Sequence, residues 1–205
     1  MINYFGSYTC LKRVIDIIFS CIVLCALSPF LLVIACLIMI TSPGPAFYKW
    51  KVVGKGGSFF TSYKFQTMYQ NADELKTGLL AQNEMRGAVF KVTNDPRVTP
   101  LGRILRKFSI DELPQFFSVL KGDMSLVGPR PPLQTEYEDF NDWQKLKLAV
   151  KPGMTCLWQT CGRNEISDFD EWVKLDLEYI KQRSLIMDLK ILMNTVKSVA
   201  KGTGK

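Results

Sequence analysis

The sequence predicts an α+β, mostly helical domain that a single apolar segment attaches to a membrane. Residues 14–40 hold much of the apolar character of a chain whose mean hydropathy is only +0.06. An alternation of apolar and basic residues follows, as in short strands, and helical spacing of apolar residues prevails after it. A chain of 205 residues fits one compact domain plus this segment better than two full domains.

The composition excludes several kinds of active site. The chain has no histidine, which removes histidine general bases, serine–histidine–aspartate triads and zinc sites that need imidazole. A net charge of +7 favours an anionic partner such as lipid head groups, nucleotide phosphates or nucleic acid. The six cysteines lack the spacing of a zinc site, and free thiols fit a reducing, cytoplasmic setting.

The apolar segment is long enough to cross a bilayer. As one helix, the 27 residues from Val14 to Ile40 would extend about 40 Å, against a hydrocarbon core of about 30 Å. Asp16 is its only charged residue. The segment is too long for a signal-peptide core and has no small-residue cleavage site. A single spanning helix is therefore the simplest interpretation.

Ser28 and Pro29, at the middle of the segment, favour a different arrangement. Proline removes a backbone hydrogen bond, and the serine hydroxyl can bond to a carbonyl that is freed there. Lys12 and Arg13 precede the segment and lysines follow it, so positive charge favours the cytoplasmic side for both ends. A re-entrant hairpin broken at this pair satisfies both ends. The residues alone leave the re-entrant and the spanning arrangement equally open.

The first half of the soluble part is predicted to contain a hairpin and a helix. Residues 47–68 alternate apolar and basic side chains around three glycines, which is typical of short strands. Residues 71–85 are predicted to be helical, with Asn71 at the start and two acidic residues in the first turn.

The second half is predicted to be helical. Apolar spacing over residues 99–120 indicates two amphipathic helices that meet near Ser109, which forms a capping-box pattern with Glu112. Residues 136–150 are predicted to form another amphipathic stretch, whose aromatic face suits either a core or a membrane interface. Residues 167–200 are predicted to form one or two helices.

The strongest chemical signal is the adjacent pair Asp111 and Glu112. An isolated acidic pair at a helix start is usually a capping feature. Here basic residues lie just upstream, and the stiff turn Gly128–Pro132 holds Arg130 between prolines. Carboxylates suit Mg²⁺ and arginines clamp phosphates, so the cluster suits a metal-bound diphosphate.

The ordered set of motifs resembles the bacterial sugar transferase family, the monotopic polyprenol-phosphate phosphoglycosyl transferases, in its minimal catalytic form. The resemblance covers roughly residues 10–195. The matching elements are Ser28–Pro29, Lys64–Phe65, Asp95–Thr99, Gly102–Arg103, Ser109–Gln115, Leu120–Pro131, Lys151–Gly153 and Gly162–Asn164.

The resemblance implies a role for each carboxylate. Asp111 would attack the sugar-bearing phosphate of a nucleotide-sugar, releasing a nucleoside monophosphate and leaving a phosphosugar-aspartate. Glu112 would assist the second step, in which polyprenol phosphate attacks, or would help to hold Mg²⁺. Asp111 is also the expected Mg²⁺ ligand. The resemblance favours the re-entrant form of the apolar segment.

The resemblance also implies roles for four cationic residues. Arg106 would orient the carboxylates or meet a lipid phosphate, and Arg130, Arg163 and Lys64 would bind the nucleotide diphosphate. Two positions depart from the usual pattern. Gln66 replaces an arginine that is common after the lysine–phenylalanine pair, and Cys161 stands where a small or amide residue is common.

The resemblance places the enzyme at the cytoplasmic face of the bacterial inner membrane, where it would start assembly of a cell-surface glycoconjugate. The expected partners are a UDP-sugar, undecaprenyl phosphate and membrane lipids, with Mg²⁺ as cofactor. The implied bounds are 1–40 for the membrane portion, 41–200 for the cytoplasmic catalytic domain and 201–205 for a flexible end. The sequence names neither the sugar, nor the pathway, nor the oligomeric state.

The residues leave two other kinds of function open. One is a non-catalytic, basic, membrane-tethered binding module or scaffold. Nucleic acid is not expected as its partner, because the arginines cluster with carboxylates and rigid turns rather than with exposed aromatics. The other is an enzyme that transfers the sugar alone and releases a nucleoside diphosphate. The released nucleotide separates these alternatives.

Overall fold

The computed structural model describes residues 2–160 and 166–204, without the side chains of residues 2–5 and 7. It is α+β and mostly helical, as the sequence predicts. The α-helices are α1 Ile2–Thr41, α2 Ala72–Lys76, α3 Pro100–Lys107, α4 Phe116–Lys121, α5 Gln134–Glu138, α6 Asp142–Lys145, α7 Leu157–Thr160, α8 Phe169–Gln182 and α9 Leu185–Ala200. Short 3-10 helices cover Lys55–Gly57, Thr77–Gln82, Ile110–Gln115 and Leu146–Ala149.

Two small sheets connect these helices. The predicted hairpin is confirmed, because β1 (Phe47–Val53) and β2 (Phe59–Phe65) pair antiparallel from end to end. The strands β3 (Ser125–Val127) and β4 (Gly153–Thr155) pair in parallel. That pairing brings the turn after β3 against the start of β4, so two motifs that are distant in the sequence become neighbours.

One side of α1 packs against the soluble part along most of the length of the helix. Leu24 belongs to a core cluster with residues of α4 and β3. Beyond the proline, Ile34 and Ile38 pack into a second cluster that contains Phe65 of β2 and Leu105 of α3. Both halves of α1 therefore contact the same domain.

The opposite side of α1 is apolar and exposed. Ile22 and Leu32 are 61% and 68% exposed, and Ile40 reaches 79%. The 34 residues from Tyr8 to Thr41 are long and apolar enough to cross a membrane. An apolar surface of this size would be costly in water and suits a lipid environment.

The predicted break at Ser28 and Pro29 is not a gap between two helices, because α1 continues through Pro29. Proline has no N–H to donate to the carbonyl four residues earlier, which belongs to Cys25. The Ser28 hydroxyl donates to that carbonyl instead, at 2.9 Å. This is the serine compensation that the sequence predicts, and it allows the helix to continue with one missing amide bond.

Two predicted helical stretches differ from the structure. Residues 71–85 form only α2 and a 3-10 helix. Residues 136–150 do not form one amphipathic helix, because Asn141 makes a capping box with Gln144 and starts a new helix. As a result, Phe140 is buried whereas Trp143 is 37% exposed, so their aromatic rings do not share one face.

Asp168 and Ser184 are the N-cap residues of the C-terminal helices α8 and α9, and their side chains accept backbone N–H groups of the first turn. The helix α9 exposes an apolar stripe of Ile186, Leu189, Met193 and Val196, spaced by three and four residues. That pattern is typical of a helix lying at a membrane interface. The chain end, predicted to be flexible, contacts α3, where Gly204 N–H donates to the Lys107 carbonyl at 3.0 Å.

Candidate active site

Asp111 lies in the 3-10 helix that follows a sharp turn at Ser109. Ser109 is left-handed (φ 52°, ψ 24°), and among the described residues other than glycine it alone has a positive φ. The predicted capping box is therefore wrong, because a capping side chain needs an extended backbone at that position. The turn buries Asp111, which is 6% exposed, and leaves Glu112 half-buried.

Lys64 is brought to Glu112, as the predicted clustering requires. The Lys64 Nζ lies 3.5 Å from Glu112 Oε1, and both side chains are about a quarter exposed, at 22% and 24%. The same ammonium lies 4.1 Å from the centre of the Trp50 ring, a cation–π contact. This long and partly hydrated ion pair can yield to an incoming phosphate.

Arg106 lies at the end of α3, one turn before Asp111. Its Nε donates to the Thr67 hydroxyl at 3.0 Å. Burial lowers the pKa of the Arg106 guanidinium, and the negative charges of Asp111 and Asp95 oppose that effect. Arg106 therefore stays cationic beside Asp111.

The motif around Gly102 explains how α3 presents Arg106. The Thr99 hydroxyl accepts the Gly102 N–H at 2.9 Å and caps the helix. A side chain at Gly102 would collide with the backbone carbonyl of Thr67. Only glycine therefore allows α3 to lie directly on the segment after β2, from which Thr67 reaches Arg106.

Arg130 is held by two kinds of contact. The predicted stiff turn is fixed by backbone hydrogen bonds, from Val53 N–H to the Pro132 carbonyl at 3.0 Å and from Gly153 N–H to Pro129 at 2.9 Å. The guanidinium binds Glu136 with both terminal nitrogens, at 3.0 and 3.3 Å. Burial would raise the pKa of Glu136, but Arg130 outweighs it and holds that pKa below its ordinary value.

Arg97 has no predicted role in the site, although it lies in the Asp95–Thr99 motif. Arg97 makes a buried bidentate ion pair with Asp95, with Nη2 at 2.7 Å from Oδ2, and donates to the Ala72 carbonyl at 3.1 Å. The side chain also lines the cavity described below. The sequence signal for this pair is the spacing of Asp95 and Arg97, because an arginine two residues after an aspartate can donate to its carboxylate.

A cavity of about 810 Å³ gathers three of the predicted cations. Its wall includes Lys64, Arg106 and Arg130. Aromatic side chains line it as well, namely Tyr48, Trp50, Tyr69 and Phe90. Asp111 and Glu112 do not line the cavity, but Glu112 pairs with Lys64 in its wall and the Asp111 charge acts on Arg106. Cations around an aromatic-lined space of this volume suit a ligand with phosphates and a ring.

Two predicted elements lie elsewhere. Ser28 and Pro29 are exposed on α1 and do not line the cavity. Arg163 falls outside the described residues. The structure therefore brings together Asp111, Glu112 and three of the four predicted cations, and separates the membrane break from them.

The carboxylates do not form a metal site by themselves. Within residues 2–160 and 166–204, no group of three or more acidic or thiol side chains is arranged to hold a metal ion. Mg²⁺ commonly takes only one or two protein carboxylates and completes its shell with water and substrate phosphates. Asp111 and Glu112 fit an Mg²⁺ site with two protein carboxylates, in which water and the substrate supply the remaining ligands.

Comparisons with known proteins find similar sequences over most of the chain. A family model described as bacterial sugar transferase matches residues 7–202. The galactosyl transferase CpsE of Streptococcus agalactiae is 53% identical over 161 residues, covering 78% of this chain and 36% of the relative. The undecaprenyl-phosphate galactose phosphotransferase of Salmonella typhimurium is 44% identical over 198 residues, covering 95% and 41%.

A third relative is similar over nearly its whole length. The exopolysaccharide production protein ExoY of Sinorhizobium fredii is 37% identical over 198 residues, covering 94% of this chain and 87% of the relative. The chain thus spans less than half the length of the first two relatives and most of the third.

Proposed function

The chain belongs to the bacterial sugar transferase family, and from this premise we propose that it transfers a sugar-1-phosphate from a UDP-sugar to undecaprenyl phosphate and releases UMP. The main structural support is the buried Asp111 next to Glu112, because Glu112 pairs with Lys64 and Lys64 lines one cavity together with Arg106 and Arg130. A nucleophile beside convergent cations is what attack on a diphosphate needs, because the cations offset the charge of both reactants.

In the first step, a carboxylate oxygen of Asp111 attacks the phosphorus that bears the sugar. The new bond is a carboxyl–phosphate bond, and the bond to the bridging oxygen breaks, so that UMP leaves with the electron pair. Arg130 is suited to bind the departing phosphate, since Glu136 holds its guanidinium by two nitrogens. Lys64 can move from Glu112 to the donor.

In the second step, a phosphate oxygen of undecaprenyl phosphate attacks the same phosphorus. The carboxyl–phosphate bond breaks, which restores Asp111 and forms the lipid diphosphate sugar. Arg106, whose charge interacts with that of Asp111, can receive the incoming lipid phosphate, and Glu112 can orient it. Asp111 thus carries the phosphosugar between the departure of UMP and the attack by undecaprenyl phosphate.

Mg²⁺ is the proposed cofactor. Asp111 and Glu112 would hold it together with the donor diphosphate, and it would neutralise part of the charge of that diphosphate. The chain's own cations, Lys64, Arg106 and Arg130, would share that task.

We also propose that α1 is re-entrant and that the domain lies on the cytoplasmic face. Leu24 and Ile38 lie on opposite sides of Pro29, and both pack against the soluble domain. In a straight spanning helix these residues would lie about 21 Å apart along the membrane normal, so the soluble domain could contact both only by entering the hydrocarbon core. The exposed stripe on α9 supports a domain lying at the interface, where a lipid acceptor meets a soluble donor.

The decisive experiment identifies the nucleotide that is released. Purified protein in detergent is mixed with Mg²⁺, undecaprenyl phosphate and single UDP-sugars, with UDP-galactose tested first because two of the relatives are named for galactose transfer. We expect UMP with one or a few donors. Release of UDP would show transfer of the sugar alone and would remove the proposed role of Asp111. No release with any donor would favour a non-catalytic module.

A further inference from the structure

A second cavity, of about 300 Å³, lies where the first turns of α1 meet the rest of the molecule. It is separate from the proposed active site, since the two cavities share no lining residue in the part of the chain that the structure describes. Its lining cations come from four segments of the chain. They are Lys12 and Arg13 of α1, Lys55 after β1, Lys151 before β4 and Arg183 after α8.

The positive charge of this cavity is only partly compensated. Lys12 pairs with Asp188 at 2.8 Å, and Asp16 is the one carboxylate among the lining residues. The Asp16 carboxylate accepts the Leu126 N–H at 3.1 Å and offsets part of the charge of Lys12 and Arg13. In the described part of the chain, Lys55 and Lys151 have no ion-pair partner.

Two of the cations converge on one point at the cavity wall. A methyl group added to Gly122 would lie 3.4 Å from Nη2 of Arg13 and 3.6 Å from Nζ of Lys151. Arg13 also donates to the carbonyls of Val119 and Leu120 at the end of α4, so its position is fixed. The two charged groups are therefore at most about 7 Å apart, and an anion bound between them would offset their mutual repulsion.

We propose that this cavity binds a phosphate group, and that the phosphate belongs to the head group of an anionic membrane phospholipid. Arg13 and Lys151 would bind the phosphate oxygens directly. Lys55 would add charge from a third segment of the chain. The Tyr8 and Tyr179 hydroxyls, which donate to Asp188 at 2.9 and 2.7 Å, border the same space. The cavity holds a head group but is too small for a nucleotide-sugar.

The position of the cavity beside α1 favours a lipid source over a soluble one. The apolar surface of α1 begins in the same turns that line the cavity, with Leu11 and Val14 at 49% and 46% exposed. A lipid that leaves its chains against these side chains would bring its phosphate to Lys12 and Arg13. Basic residues at such an interface attract anionic lipids.

The test measures ligand binding and therefore stands apart from the proposed reaction. Full-length protein in neutral detergent is titrated with dihexanoyl phosphatidylglycerol, dihexanoyl phosphatidylcholine and inorganic phosphate, by calorimetry or native mass spectrometry. Lys151→Gln is compared with Lys51→Gln, an exposed lysine of β1 outside both cavities, and with Arg106→Gln, which alters the other cavity.

We expect saturable phosphatidylglycerol binding that Lys151→Gln weakens about tenfold, the effect of losing one charge-assisted hydrogen bond. Lys51→Gln and Arg106→Gln should bind like the wild type. Binding of inorganic phosphate alone, with the same sensitivity to Lys151→Gln, would overturn the lipid source. If only Arg106→Gln weakens binding, or if neither ligand binds, the proposed site is wrong.

Discussion

Two lysine–carboxylate pairs in this molecule differ in almost every physical respect. Lys147 and Asp176 are 2.7 Å apart, and their side chains are 1% and 0% exposed. Lys64 and Glu112 are 3.5 Å apart, and each is about a quarter exposed. The first pair lies inside the fold, and the second lies at the wall of the cavity.

The difference shows how the chain separates structural charges from chemical ones. A charge buried out of water needs a close and permanent partner, because removing that partner leaves an uncompensated ion. A charge that water still reaches can exchange its partner at little cost. Lys64 can therefore leave Glu112 for a phosphate, whereas Lys147 remains bound to Asp176.

The largest effect is expected from Asp111→Asn, which removes the proposed nucleophile and keeps its shape. Transfer should fall by at least about 10³-fold, as for other enzymes that lose a nucleophile. The stability of the fold should change little by comparison. Radiolabelled donor should leave label on the wild-type protein in the absence of lipid acceptor and none on the variant. Full activity of Asp111→Asn would show that Asp111 is not the nucleophile.

The next effect is expected at the buried pair. Asp176→Asn should lower the free energy of unfolding by about 3–5 kcal/mol, because it strands Lys147 without a counter-charge. Thermal unfolding in detergent provides the measurement. The double variant Lys147→Met with Asp176→Leu should recover most of the loss, since both charges are then gone. A single variant as stable as the wild type would show that the pair does not hold the fold.

A smaller effect is expected from Lys64→Gln. The KM for the nucleotide-sugar should rise about tenfold, from the loss of one charge-assisted contact, while unfolding changes by no more than about 0.5 kcal/mol. Lys51→Gln, in the neighbouring strand of the same hairpin, is the matched control. Equal kinetics for both variants would mean that Lys64 does not touch the donor.

The smallest effect concerns pH. Burial raises the pKa of Asp95, but hydrogen bonds from Arg97 outweigh it and hold that pKa below its ordinary value. The pair therefore stabilises the fold above the unfolded pKa of about 3.9, and this contribution is lost as pH falls through the lower folded value. Asp95→Asn should show a smaller fall in melting temperature between about pH 5 and pH 3. An exposed control, Glu178→Gln, should keep the wild-type slope.

The sequence predicted the parts of the site that depend on local pattern. The hairpin and the helices on both sides of Ser109 agree with the structure, and Lys64, which pairs with Glu112, lines one cavity with Arg106 and Arg130. The serine–carbonyl contact at the proline was also predicted, because it needs only the neighbouring turn.

Features that depend on tertiary contacts were not predictable in this way. The left-handed backbone of Ser109 replaces an expected cap because the chain must turn sharply between α3 and the residues that bury Asp111. Lys147 is buried against Asp176 of α8, which is distant in the sequence, and no feature of composition or spacing indicates this pair. Sequence pattern predicts local geometry, and long-range packing decides which charges become buried.

The contact between Gly102 and the Thr67 backbone limits how this chain can change in length. A helix turns by about 100° per residue, so one residue inserted between Gly102 and Arg106 would swing the guanidinium away from the cavity. A deletion would turn it the opposite way. Sequence insertions and deletions among relatives should therefore fall in exposed turns such as 93–94, and segment 99–111 should keep a constant length even where its residues differ.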